Sequence, residues 1–146
     1  EKGVRLSDTP KGLLADGSSV TAYSGFEVNM RDFSDQALTI AALAPFATSE
    51  THITGIGHIR KQECDRIHAI VYNLRKLGIK AIEEEDGVRI SPGEPLPATI
   101  ECFDDHRVAM AFSLIGLKTG TLQIENPLCC RKTFSNYFEI LDSITQ

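Results

Sequence analysis

Apolar positions along this chain alternate between two spacings. Between residues 32 and 47, Ala37, Leu38, Ile40, Ala41, Leu43 and Ala44 follow a helical period. Ser34 or Asp35 is placed to cap that helix, and Pro45 should distort its last turn. Residues 51–56 alternate like a strand, and Gly55 and Gly57 loosen the chain before Arg60. From about 62 to 77 the helical period returns through Ile67, Ile70, Val71, Leu74 and Leu77, with Gly78 as a stop. Residues 81–84 and 88–91 read as a hairpin around Asp86-Gly87. Pro92, Pro95 and Pro97 then form a stiff connector. Residues 98–101 are strand-like, Asp105 opens a helix to about Leu117, 121–125 are strand-like, and 133–143 close the chain as a helix apolar at Phe134, Tyr137, Phe138 and Leu141. The first 30 residues predict short strands and turns, including an alternating segment at 19–23.

The same order occurs twice. Asp35 lies 70 residues before Asp105, and Thr51 lies 70 residues before Thr121. Each Asp precedes an Ala-containing apolar helix, and each Thr opens an alternating strand. The unit reads strand, helix, strand, helix, hairpin. Residues 28–91 are expected to form one complete repeat, and 98–146 an incomplete second one without its hairpin. The chain begins at Glu1 rather than Met, which suggests a piece of a longer protein.

Composition narrows the class. The 146 residues are 42% hydrophobic and 24% charged, which fits a globular α/β chain and not a disordered one. Fifteen Lys and Arg against 20 Asp and Glu leave a net charge of −5, the wrong sign for a general nucleic-acid binder. The longest uncharged stretch, 36–49, is too short to span a bilayer, so no membrane partner is expected. Cys64, Cys102, Cys129 and Cys130 show neither a disulfide framework nor zinc spacing. With no secretory leader visible, reduced thiols in the cytoplasm are the expectation.

Four stretches could carry chemistry. In 60–66, Glu63 and Arg66 are three apart and share a face if both lie on a first helical turn; a solvated ion pair is the plainer alternative. In 104–107, Asp105, His106 and Arg107 stand at a helix start, where free N–H groups favour anions and an Arg fork suits phosphate or carboxylate. Asp105 is equally readable as a simple cap. Lys132 falls just ahead of the predicted closing helix, although exposed lysines are common. Asp35 alone reads as structural. Together these helix starts would gather three cations and at least two carboxylates around one small anion.

Residues 104–114, Asp-Asp-His-Arg-Val-Ala-Met-Ala-Phe-Ser-Leu, resemble the DDHRMAMAFSL segment of the 5-enolpyruvylshikimate-3-phosphate synthase family. Lys132-Thr133-Phe134, with Tyr137-Phe138, resembles its KTFPDYF segment; 60–66 is similar to RVKETDR, and 34–39 to PDAAMT. All four occur in the family's order. The resemblance implies an enolpyruvyl transferase fold, built as two lobes of strand–helix–strand–helix–hairpin repeats, with this chain as the C-terminal portion of one incomplete lobe. It implies transfer of the enolpyruvyl group of phosphoenolpyruvate to the 5-hydroxyl of shikimate 3-phosphate, releasing phosphate, in the shikimate pathway toward chorismate and the aromatic amino acids. By motif position, Asp35 would be the base near the 5-hydroxyl and Glu63 the acid/base partner at the methylene carbon. Arg66, Arg107 and Lys132 would hold phosphoenolpyruvate or the inhibitor glyphosate. Asp105 and His106 would line the pocket. Asp35, His58 and Gln62 would contact shikimate 3-phosphate. No metal or organic cofactor is implied.

Two positions depart from the family pattern. Gln62 stands where a Lys is usual, and His58 where an Asn is usual. The family's chain is also about three times longer, so its other substrate-binding residues are absent. The chain alone is therefore expected to be inactive without the N-terminal part of the enzyme, because closure of two lobes assembles such a site. An unpaired sheet edge would favour self-association. The alternatives are a relative of the sister family acting on UDP-N-acetylglucosamine, which lacks the Asp-His-Arg segment, and a non-catalytic anion-binding module.

Overall fold

The computed structural model describes residues 3–145. Gln146, where the second predicted repeat ends, lies outside the described residues. A two-stranded antiparallel hairpin, β1 (Arg5–Thr9) and β2 (Gly12–Asp16), opens the chain. Its strands are almost wholly exposed. Residues 19–23 form no strand. The elements that follow are β3 (Glu27–Asn29), α1 (Ala37–Leu43), β4 (Thr51–Thr54), α2 (Arg66–Lys76), β5 (Ala81–Glu84) and β6 (Gly87–Ile90). Then come β7 (Ala98–Ile100), α3 (His106–Thr119), β8 (Leu122–Ile124) and α4 (Tyr137–Ile144).

The main sheet runs β3-β4-β6-β5, with β3 parallel to β4 and the other pairs antiparallel. A second, separate pair, β7 and β8, is also parallel. Each parallel pair is bridged by a helix, as a crossover between parallel strands requires. Strand β4 is central and buried at Thr51, His52 and Ile53. Its Ile53 meets Val88 and Ile90 of β6 and the apolar stripe of α2 (Ile67, Ile70, Val71, Leu74) in one core. Each of these fully buried branched side chains contributes about 1.5–3 kcal/mol. Helix α3 is apolar on most sides and buried at Val108, Ala109, Ala111, Phe112, Ser113 and Ile115, which makes it a central helix. It packs on α1, whose buried face (Ala37, Leu38, Ala41, Ala42) is mostly alanine and permits close approach. A smaller cluster holds Cys102, Ala109, Cys129 and Cys130, with Tyr137 and Phe138 of α4 against it.

Several element starts differ from those expected. Residues 31–36 are a kinked 3-10 turn, and α1 begins only at Ala37. Neither Ser34 nor Asp35 caps it. Helix α2 starts at Arg66, capped by Asp65, whose carboxylate accepts from the His68 N–H at 3.0 Å. Glu63 thus precedes the helix and does not lie on its first turn. The hairpin loop is Glu85-Asp86, and Gly87 belongs to β6. Glycine is needed there for proximity, since a Cβ would stand 2.4 Å from the Ile53 carbonyl oxygen. The closing helix begins at Tyr137, so Lys132 ends a 3-10 turn (Pro127–Lys132) and does not abut the helix.

Candidate active site

Arg66 is the centre of the cluster. Its side chain is 1% exposed, yet it is surrounded by carboxylates. Nε donates to Asp105 Oδ2 at 2.7 Å and Nη2 to Asp105 Oδ1 at 3.3 Å. Nη2 also donates to Glu63 Oε2 at 2.8 Å. Nη1 donates to Asp35 Oδ1 at 3.1 Å and to Gln62 Oε1. A guanidinium has five N–H donors, and these five contacts engage all of them. Burying a guanidinium is costly unless it is paired and hydrogen-bonded, and this set meets both conditions.

Asp35 joins a second cation to the first. Its Oδ1 accepts from Arg66, and its Oδ2 accepts from Arg107 Nη2 at 2.8 Å. Two guanidiniums therefore take the carboxylate that the sequence pattern assigned to capping. Asp105 does cap its helix, accepting from the Arg107 N–H at 2.9 Å, while it chelates Arg66. One fully buried carboxylate thus fixes the start of α3 to the start of α2.

The electrostatics follow from these contacts. Burial pushes the Asp105 carboxyl up, but hydrogen bonds from Arg66 and the Arg107 N–H outweigh it, and the net shift is below the ordinary carboxylate range. Burial opposes the charge of Arg66, but the Asp105 carboxylate overcomes this and holds it more firmly protonated. The Cys64 thiol, 3.5 Å from Asp105 Oδ2, is pushed up to about 12 by burial and by that carboxylate. It is a thiol donor and no nucleophile.

His106 is nearly buried, and burial lowers its pKa; Asp105 and Glu63 pull the other way, while Arg107 and Lys132 reinforce the lowering. Its Nδ1 lies 3.8 Å from Asp105 Oδ1, too far for a hydrogen bond, and has no hydrogen-bond partner among the described residues. His106 lines a cavity of about 230 Å³ together with Asp35, Gln36, Thr39, Arg107, Met110 and Tyr137. The cavity has the size for a small anion, and its charged lining is the Arg107–Asp35 pair, with the His106 ring beside it.

Not every predicted residue joins the ion-pair cluster. Asp35, Gln62, Glu63, Arg66, Asp105 and Arg107 do. Lys132 is exposed and reaches the group only through its field at His106. His58 is exposed and binds Ser34 Oγ through Nε2 at 2.8 Å, tying its own 3-10 turn (Gly57–Lys61) to the turn that carries Asp35. Three contributors were not singled out from sequence. Cys64 touches Asp105. Asn73 and Phe103 hold the loop that delivers Asp105, by contacts described below. Asn73 left a trace, as a polar residue on the apolar stripe of α2; Phe103 looks like any loop aromatic.

The sequence profile of the EPSP synthase (3-phosphoshikimate 1-carboxyvinyltransferase) family matches residues 2–141. The chain belongs to that family. It is 47% identical over 122 residues to a 3-phosphoshikimate 1-carboxyvinyltransferase 2 of Halalkalibacterium halodurans, covering 82% of this chain and 27% of that protein. It is 40% identical over 141 residues to a chloroplastic 3-phosphoshikimate 1-carboxyvinyltransferase of Solanum lycopersicum, covering 96% of this chain and 27% of that protein. The chain therefore spans about a quarter of the length of these relatives. Its fold is that of solved EPSP synthase from Acinetobacter baumannii, with a TM-score of 0.72 at 24% identity over 96% of this chain and 35% of that one. Among the described residues, no helix is long and apolar enough to cross a membrane.

Proposed function

We propose that this chain supplies the C-terminal portion of one lobe of a 3-phosphoshikimate 1-carboxyvinyltransferase, with 28–91 as one complete repeat and 98–146 as an incomplete one. The observation that carries the reading is the junction of Asp35, Glu63, Arg66, Asp105 and Arg107, drawn from three distant stretches into one ion-pair cluster beside a small cavity. The substrates are phosphoenolpyruvate and shikimate 3-phosphate, and glyphosate occupies the place of the first.

The roles are those the family resemblance implies, and the geometry supports them at several points. Arg107 gives an N–H to Asp35 and lines the cavity, so it can turn other donors to the carboxylate or phosphate of phosphoenolpyruvate. Lys132 adds positive field near His106. Arg66 has no unengaged donor, so it meets the ligand by exchanging Gln62 or one of its carboxylates. Glu63 delivers a proton to the methylene carbon. Asp35 accepts the proton of the attacking 5-hydroxyl as its oxygen bonds to the adjacent carbon. Loss of a proton from the new methyl group and cleavage of the bond to the phosphate oxygen then regenerate the enol ether and release phosphate. The clustered cations offset the charge of the substrate and of the transition state. His58 and Gln62 are assigned to shikimate 3-phosphate by motif position, and there Gln62 would bring a hydrogen bond and no charge. The four cysteines are free thiols, three of them buried, which supports a reducing compartment such as the cytoplasm.

The remaining part of the enzyme completes the site. Adding that N-terminal part in trans tests the reading. Recovery of phosphate release, lost again with Glu63→Gln or Lys132→Ala, supports it. If no phosphate is released and millimolar phosphoenolpyruvate shifts no amide near Arg66, Arg107 or Lys132, the proposal fails.

A further inference from the structure

The loop between β7 and α3 is the least expected backbone in the protein. Phe103 and Asp104 have φ of 53° and 55°, and they are the only non-glycine residues with positive φ among those described. The Asp105 N–H donates to the Cys102 carbonyl at 2.9 Å, which closes a four-residue turn around this left-handed pair. Turns with two left-handed central residues favour Asn-Gly or Asp-Gly; a bulky aromatic there is an outlier. Such a conformation persists only where its surroundings impose it.

Helix α2 imposes it at three points. Asn73, fully buried, grips the backbone of Glu101 from both sides: its Nδ2 donates to the Glu101 carbonyl at 2.9 Å, and its Oδ1 accepts the Glu101 N–H at 2.9 Å. The Phe103 ring stands edge-on to Tyr72, with centroids 5.5 Å apart at 82°, and to His68, at 6.2 Å and 77°. Arg66 then receives Asp105 itself. From Asp105 the chain enters α3 with a fully buried carboxylate that serves Arg66 and the Arg107 N–H together.

We propose that Asn73, Tyr72 and Phe103 are positioning residues: by holding the 102–105 turn in its left-handed form against α2, they deliver the Asp105 carboxylate to Arg66. The turn is a clasp whose release separates the two helix starts that build the site. The inference rests on the proposed function only for what the Asp105–Arg66 pair serves.

The test uses the ¹⁵N-labelled chain. Hydrogen exchange is followed at Arg66 Nε–H and at the Arg107 amide, both donors to Asp105, and at the amide of Phe112 in the buried centre of α3. Tyr72→Ala removes the ring on which Phe103 rests and leaves the turn's own residues and the ion pair unsubstituted. It is expected to speed exchange at the two Asp105 donors at least tenfold more than at Phe112. Tyr72→Phe keeps the ring and deletes only the hydroxyl, which interacts with the Glu101 side chain; it should keep most of the protection that Tyr72→Ala loses. Asp104→Gly added to Tyr72→Ala should recover most of the protection, because glycine adopts positive φ without steric cost. Should Tyr72→Ala not fold, Tyr72→Leu, which keeps apolar cover but no ring, carries the same comparison. Exchange that rises equally at all three sites, or a glycine that restores nothing, overturns the proposal. Titration of the unmutated chain with phosphoenolpyruvate is read separately. Absence of binding there defeats the functional reading and leaves the exchange result to decide the clasp.

Discussion

Replacing Arg66 by Met should invert the acid response of this protein. The substitution keeps an apolar stem of similar length and deletes the cation that three carboxylates share. Asp35 and Glu63 are 46% and 37% exposed, so water screens most of what they lose. Asp105 is different, because its side chain is 0% exposed and would keep only the Arg107 N–H and the Cys64 thiol. Leaving one member of a buried pair uncompensated costs about 3–5 kcal/mol. That is a large part of the roughly 5–15 kcal/mol that holds a domain folded. The sign with pH follows from Asp105. In the wild type its folded pKa lies below the unfolded value, so its stabilisation is present above about pH 4 and lost as pH falls through the folded pKa. In Arg66→Met, burial dominates and raises the folded pKa, so protonation relieves the cost and stability climbs as pH falls from 7 toward 4. Urea unfolding across that range checks both parts. A loss under about 1 kcal/mol at neutral pH, or a deficit that does not shrink on acidification, would refute the reasoning.

Three further outcomes are expected. By ¹H–¹⁵N NMR, His106 should titrate below the ordinary histidine value of 6.5, since burial opposes its protonation; an ordinary or raised midpoint would contradict its placement. Native Cys64, Cys102 and Cys129, with thiols pushed up to about 12, 11 and 11 by burial, should resist iodoacetamide at mildly alkaline pH and react only after denaturation, as read by mass spectrometry. Gly87→Ala should destabilise by roughly 1–3 kcal/mol, because its Cβ must push β6 away from the Ile53 carbonyl; an unchanged thermal midpoint would show that the strands yield freely.

Much of the architecture was legible along the chain because periodicity reports which face is buried. The stripe through Ile67–Leu74 does lie in the core, and the helix opened by Asp105 is buried there too. Helix starts were less legible, and for a physical reason. Ser34 and Asp35 have the composition of caps, but the Asp35 carboxylate finds two guanidiniums, and charged partners outcompete a backbone N–H. Asp86-Gly87 has the composition of a tight turn, yet Gly87 serves a close approach to a neighbouring strand. That neighbour is 34 positions away in sequence and leaves no local mark.

By itself, the order of residues determined the family, the alternation of strands and helices, and which side chains carry charge at the helix starts, because all of these are local or motif-borne. Only the tertiary structure decided that Arg66 spends every donor on the protein, that Asp35 and Asp105 grasp the same guanidinium, and that Phe103 holds a left-handed turn against α2. Those facts depend on distances between segments tens of residues apart. Such distances are set by the packing of α1, α2 and α3 on one core and by no single stretch of chain.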